Sequence, residues 1–108
     1  MYFVITSVGV PSMIEWDLIY NKIPNSDLQA FAAKRHDRDR RRLVYIEPTS
    51  ETKRFALEEI LTNIVGRKVR WLDLNMVFMA TVTPSQLRRV IRCLFVDSVL
   101  SNVRRFRF

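Results

Sequence analysis

Residues 68–82, KVRWLDLNMVFMATV, decide the fold. They read as two strands, Lys68–Leu74 and Met76–Val82, with only a tight turn between them, and so short a link joins antiparallel neighbours. Just upstream, Thr52–Val65 has Leu57, Ile60, Leu61 and Ile64 at i, i+3, i+4 and i+7, the core stripe of an amphipathic helix, and Gly66 closes it. Before that, Leu43–Glu47 (LVYIE) is β-branched and aromatic and ends at Pro48. Downstream, Thr83, Pro84 and Gln86 form a capping box with Pro at the first helical position. The helix they open has the stripe Leu87, Val90, Ile91 and Leu94, and Val103–Phe108 (VRRFRF) alternates like an edge strand. This is an α+β order, a ferredoxin-like split βαββαβ core over residues 43–108. Such an order does not fix a function.

At 108 residues the chain is expected to be a single domain, with residues 1–42 as an N-terminal extension. Tyr2–Val8 (YFVITSV) reads as a strand broken by Gly9 and Pro11. Two helices follow, one opened by the capping-box pair Ser12 and Glu15, with Ile14 and Leu18 on its apolar side, the other by Ser26 and Gln29, with the stripe Leu28, Phe31 and Ala32. Residues 77–82 are apolar on both faces, Phe78, Ala80 and Val82 on one and Val77 and Met79 on the other, as in a strand buried on both sides. The N-terminal strand and helices are therefore expected to cover the second sheet face. If Tyr45 and Phe78 instead share an open face, they sit together at its centre. The RNA-recognition motif has this element order, but Asn75–Val82 (NMVFMATV) lacks its basic-Gly-aromatic opening and second aromatic, so no membership follows.

Charge is the most informative bulk property. The net charge is +7, with 18 basic and 11 acidic residues. Residues 1–66 cancel, whereas residues 67–108 set nine cations against only Asp73 and Asp97. Arginine dominates, and its planar fork suits phosphate and carboxylate. A polyanion such as RNA or DNA is the partner this asymmetry suggests. The single cysteine, Cys93, forms no intrachain disulfide and fits a reducing compartment. No basic-then-apolar secretory leader is evident, and no apolar run nears the roughly 20 residues of a membrane span. A cytoplasmic protein without membrane attachment is expected.

Most of the cations fall into four groups. Lys34–Arg42 (KRHDRDRRR) reads as a basic helix end, either solvated and softened by Asp37 and Asp39, or a phosphate-contacting arm in which Arg40, Arg41 and Arg42 act. Arg67, Lys68 and Arg70 flank Trp71. Arg88, Arg89 and Arg92 are expected to share the side of their helix opposite its apolar stripe, with no nearby acid in sequence to offset them. Arg104, Arg105 and Arg107 interleave with Phe106 and Phe108, and basic residues among aromatics are how single-stranded nucleic acids are held.

Little points to catalysis. His36, the single histidine, stands in the charge run and reads as a helical surface residue, and Cys93 reads as a small core hydrophobe. No Cys/His cluster suits zinc, no glycine-rich loop suits a nucleotide, and no cofactor is implied. Glu47 and Asp73, at strand ends, are the sole pair that would serve a small metal-dependent nuclease. The sequence thus favours a basic nucleic-acid-binding protein without enzymatic activity, RNA ahead of DNA. The alternative is a protein-binding module or inhibitor, of the small kind carried by viruses and mobile elements, docking on an acidic protein. A homodimer paired through the edge of Val103–Phe108 is compatible with either.

Overall fold

The computed structural model describes residues 11–38 and 40–103. The elements are α1 (Met13–Lys22), α2 (Ser26–Ala32), β1 (Arg42–Pro48), a single 3-10 turn at Glu51–Lys53, α3 (Arg54–Val65), β2 (Arg70–Leu72), β3 (Val77–Val82), α4 (Pro84–Ile91) and β4 (Val96–Leu100). The four strands form one antiparallel sheet in the order β2-β3-β1-β4. The expected strand at Tyr2–Val8 lies outside the described residues.

Local chemistry sets most boundaries. Ser12 Oγ accepts from the Glu15 N–H at 3.2 Å while Glu15 Oε1 accepts from the Ser12 N–H, the reciprocal cap that starts α1. Thr83 and Gln86 do the same for α4, with Pro84 in the first turn. Gly66 ends α3 in the left-handed conformation, φ 83°, its N–H bonded to the Thr62 carbonyl. The β2–β3 hairpin turns through Met76 at φ 57°, a left-handed position rarely filled by a side chain of this size.

Three expectations are corrected. Ser26 and Gln29 make no capping box: Asn25 is the cap residue, and Gln29 Nε2 donates to the Ile23 carbonyl at 2.7 Å. Helix α2 stops at Ala32, so residues 34–38 and 40–41 are loop leading to β1 rather than a helix end, and His36 lies exposed there. Helix α4 stops at Ile91. Leu94 is 86% exposed, half-buried Cys93 lies in the turn beyond the helix, and the strand that follows is β4, Val96–Leu100, whereas the expected edge strand at Val103–Phe108 lies, from residue 104 on, outside the described residues. A helix of two turns buries Leu87, Val90 and Ile91 completely, and the buried Val96, Val99 and Leu100 pair with β1.

The register sorts the two sheet faces. Val44 pairs with Ala80, and Ile46 with Phe78 on one side and Val99 on the other. These residues join Ile19, Ile23, Leu28, Phe31, Leu57, Leu61, Leu87, Val90 and Ile91 in one core that draws on all four helices. Residues from α1 and α2 thus widen the helical layer next to α4, and the expected covering of the second face by these helices is not what they do. Phe78 lies on the helical face, fully buried, with the Trp71 ring edge-on at 4.8 Å. Tyr45 therefore has Met79 as its neighbour across β3, not Phe78.

Candidate nucleic-acid interface

Alternation along β1, β2 and β3 places a row across the second face: Arg70, Met79, Tyr45 and Leu100 are successive partners. The next pair toward the start of β1 is Leu43 and Thr81. At this end of the sheet, Leu43, Arg67, Lys68, Arg70, Met79 and Thr81 line a cavity of about 180 Å³ without an acidic residue in its wall. Arg67, Lys68 and Arg70 are exposed, and among the described residues none of their side chains makes a hydrogen bond or an ion pair. Three unpaired cations converging on one hollow form a local positive field that attracts oxyanions. Val65, Val69, Met79 and Ala80 give the hollow an apolar wall, and half-buried Tyr45 is the partner of Met79 across the pair β1–β3.

The basic loop is held beside this end of the sheet by α4. Arg88 is only 7% exposed, and its Nη1 donates to the carbonyls of Ala32 and Lys34, both at 2.8 Å. It satisfies the orphan carbonyls at the end of α2. The expectation that Arg88 shares an exposed face with Arg89 and Arg92 is therefore corrected, because its guanidinium is spent inside the protein. Asp37 closes the other half of the tie, its carboxylate accepting from the Ser85 N–H at 2.9 Å and from the Ser85 hydroxyl. Burial raises the pKa of Asp37, but the Ser85 hydrogen bonds, with help from Thr83 and the Arg88 charge, outweigh it and hold the carboxyl below its ordinary range.

The remaining cations separate. Arg40 and Arg41 are exposed at the entrance to β1, three and two residues before Leu43, and neither lines the 180 Å³ hollow. Arg42 instead forms an ion pair with Asp27, and its hydrogen bond to that carboxylate lowers the Asp27 pKa. Arg89 and Arg92 line a different, open groove between α3 and α4 with Ile60, Asn63 and Ile64, and Arg92 lies 3.9 Å from Glu15. Arg104, Arg105 and Arg107 lie outside the described residues. The twelve cations singled out in the sequence are thus not one surface. Arg67, Lys68 and Arg70 are brought together, Arg40 and Arg41 stand exposed on the chain leading to Leu43, and Arg42 and Arg88 are engaged internally.

The carboxylates considered for catalysis are engaged separately. Glu47 accepts from the Ser98 hydroxyl, and Asp73 from Trp71 Nε1 at 3.2 Å. Among the described residues no three His, Cys, Asp or Glu side chains gather as a metal site. No described helix is long and apolar enough to cross a membrane.

Arg54 was missed by sequence reasoning. It opens α3, whose first turn contains no acid and whose cap residue, Lys53, supplies no capping side chain. A cation at the positive end of a helix is electrostatically misplaced, and that was the available signal. Its guanidinium carbon lies 4.3 Å from the Trp71 ring centre and 5.1 Å from that of Phe55. Comparison with protein-family models, with curated proteins and with solved structures finds no match to this chain.

Proposed function

We propose that this chain is a small intracellular nucleic-acid-binding protein on a split-βαβ, ferredoxin-like frame. Phosphates are held by Arg67, Lys68 and Arg70 with Arg40 and Arg41, RNA is favoured over DNA, and no reaction is catalysed. The frame is supported by topology: β1 and β2 run in the same direction with β3 between them, α3 makes the crossover, and β4 returns beside β1 after α4. The binding reading is carried by one observation, three unpaired cations around a hollow with no acid in its wall. Tyr45 and Met79 beside them suit a splayed single strand, whose bases seek apolar and aromatic contact while cations hold the backbone.

The test is fluorescence anisotropy with labelled single-stranded RNA, single-stranded DNA and duplex DNA at two salt concentrations. A variant with Arg67→Gln, Lys68→Gln and Arg70→Gln runs beside the parent. Binding that weakens steeply with salt and is lost in the variant, with the fold retained, supports the reading; no binding by the parent at low salt ends it.

A second reading, docking on an acidic protein, has its own support in the same hollow. Leu43, 42% exposed, and Met79 stand among the cations, and mixed apolar and arginine surfaces are what protein interfaces favour. A shallow salt dependence with an acidic protein, and none of the counterion-release slope with RNA, would select it.

A further inference from the structure

Across the edge strand β2 from the basic hollow lies a second groove of about 460 Å³, lined by Arg54, Glu58, Lys68, Val69, Arg70 and Trp71. Lys68, Val69 and Arg70 belong to both walls, so the two depressions are separated by the width of one short strand. Glu58 faces three cations here, and the groove is net positive. Arg54 has an unusual status in it. The guanidinium packs on Trp71, its Nε is buried with no hydrogen-bond partner, and no ion pair or hydrogen bond is made by the side chain among the described residues. A buried donor left unsatisfied is costly, and an oxyanion reaching Nε and one Nη together would remove that cost. The stack under it is built from the core outward: Phe78, fully buried, supports Trp71, which supports Arg54, and Phe55 beside Arg54 is 72% exposed.

We infer that the groove binds a phosphate of a single-stranded nucleic acid, gripped by Arg54, with the strand crossing the β2 edge into the hollow of Arg67, Lys68 and Arg70. This rests on the nucleic-acid reading above. A single strand is required because the path folds over one edge strand within a few residues, whereas duplex DNA stays straight over roughly 50 nm. Phe55 is the aromatic surface a base meets next to that phosphate. The shared chemistry is the phosphoryl oxygen, and its two sources, a polynucleotide backbone or free phosphate ion, are separated by the test.

The experiment uses the full chain with Trp16→Phe, which leaves Trp71 as the single indole. Short single-stranded RNA, duplex DNA and inorganic phosphate are titrated at about 50 mM salt, with anisotropy of labelled RNA and Trp71 emission as readouts. Expected are a change in Trp71 emission with RNA and not with duplex, and roughly tenfold weaker RNA binding in Arg54→Met, which keeps the stem over Trp71 but removes the donors. The salt slope of that variant should flatten by about 0.7. If circular dichroism shows Arg54→Met unfolded, Arg54→Lys replaces it, with weakening of about threefold expected from loss of the fork alone. RNA binding that is equal in parent and Arg54 variant with Trp71 unmoved overturns the groove while leaving the nucleic-acid reading intact. Emission changes produced equally by phosphate ion at matched phosphate concentration overturn the polynucleotide source. A parent that binds no RNA at all ends both readings.

Discussion

Asp37 and Ser85, 48 positions apart, are joined through two hydrogen bonds, the carboxylate accepting from both the N–H and the hydroxyl of Ser85. The contact ties the loop after α2 to the first turn of α4, where free N–H groups and the positive helix end both favour an anion. Asp37→Ala should therefore cost about 1 kcal/mol of stability, the usual scale of a helix-start cap, measured by urea unfolding. The carboxyl is held below its ordinary value near 3.8, so the folded chain keeps it charged where the unfolded chain has protonated it. Its contribution is complete above about pH 4 and disappears as pH falls through the lower folded value. Asp37→Ala should flatten the acid limb of stability against pH, and an unchanged limb would remove Asp37 from the account.

Arg88 completes the same tie from the other side, and its role is structural. Arg88→Met should destabilise the protein by about 2–4 kcal/mol, because two carbonyls at the end of α2 lose a charged donor in a buried site. Arg88→Lys should recover only part of that, since one ammonium does not reproduce the guanidinium fork. Denaturant midpoints of the three proteins check this. Equal stability of Arg88→Met and the parent would return Arg88 to the surface.

Which cations touch a nucleic acid should follow the geometry rather than the count. Arg89→Gln with Arg92→Gln removes two charges from the groove between α3 and α4, away from the sheet-end hollow. Arg67→Gln with Arg70→Gln removes two from the hollow itself. Both variants lose the same net charge. The second should weaken RNA binding by roughly tenfold or more and reduce the salt slope by about 1.4, the first by far less. Equal losses would mean that bulk charge, not the hollow, governs binding.

How much of this was legible in the sequence depends on whether neighbours in sequence or partners in space decide the feature. The capping boxes at Ser12–Glu15 and Thr83–Gln86, the stop at Gly66 and the central hairpin are set by residues within a few positions; the caps and the stop appear where the pattern places them, and the hairpin forms with shorter strands, Arg70–Leu72 and Val77–Val82, around a turn at residues 73–76. The end of α4 and the strand Val96–Leu100 were not readable that way. Leu94 fits the helical period, yet the turn through Cys93 and the pairing of Val99 with Ile46 decide otherwise. Arg88 failed for the same reason, since helical period assigns it to a polar side and its acceptors, the carbonyls of Lys34 in the loop and Ala32 at the end of α2, lie 54 and 56 positions earlier. The convergence of Arg67, Lys68 and Arg70 with Leu43 likewise depends on β1 pairing with β3, a long-range fact.

Gly66 gives the cleanest test of the local part. Its φ of 83° lies where a side chain is strained, while a Cβ built there meets nothing within 4 Å. The cost of Gly66→Ala should therefore be conformational alone, about 1 kcal/mol, with no packing contribution. Gly66→Asn should cost less, since asparagine tolerates the left-handed region better. The substitution also sits immediately before Arg67 and Lys68, so it probes whether the α3 end positions the hollow. Urea unfolding should show the ordering Gly, then Asn, then Ala, with RNA affinity of the folded Ala variant unchanged. A reversed order of Asn and Ala would mean that the helix ends elsewhere, and the placement of Arg67 and Lys68 beside Leu43 would fall with it.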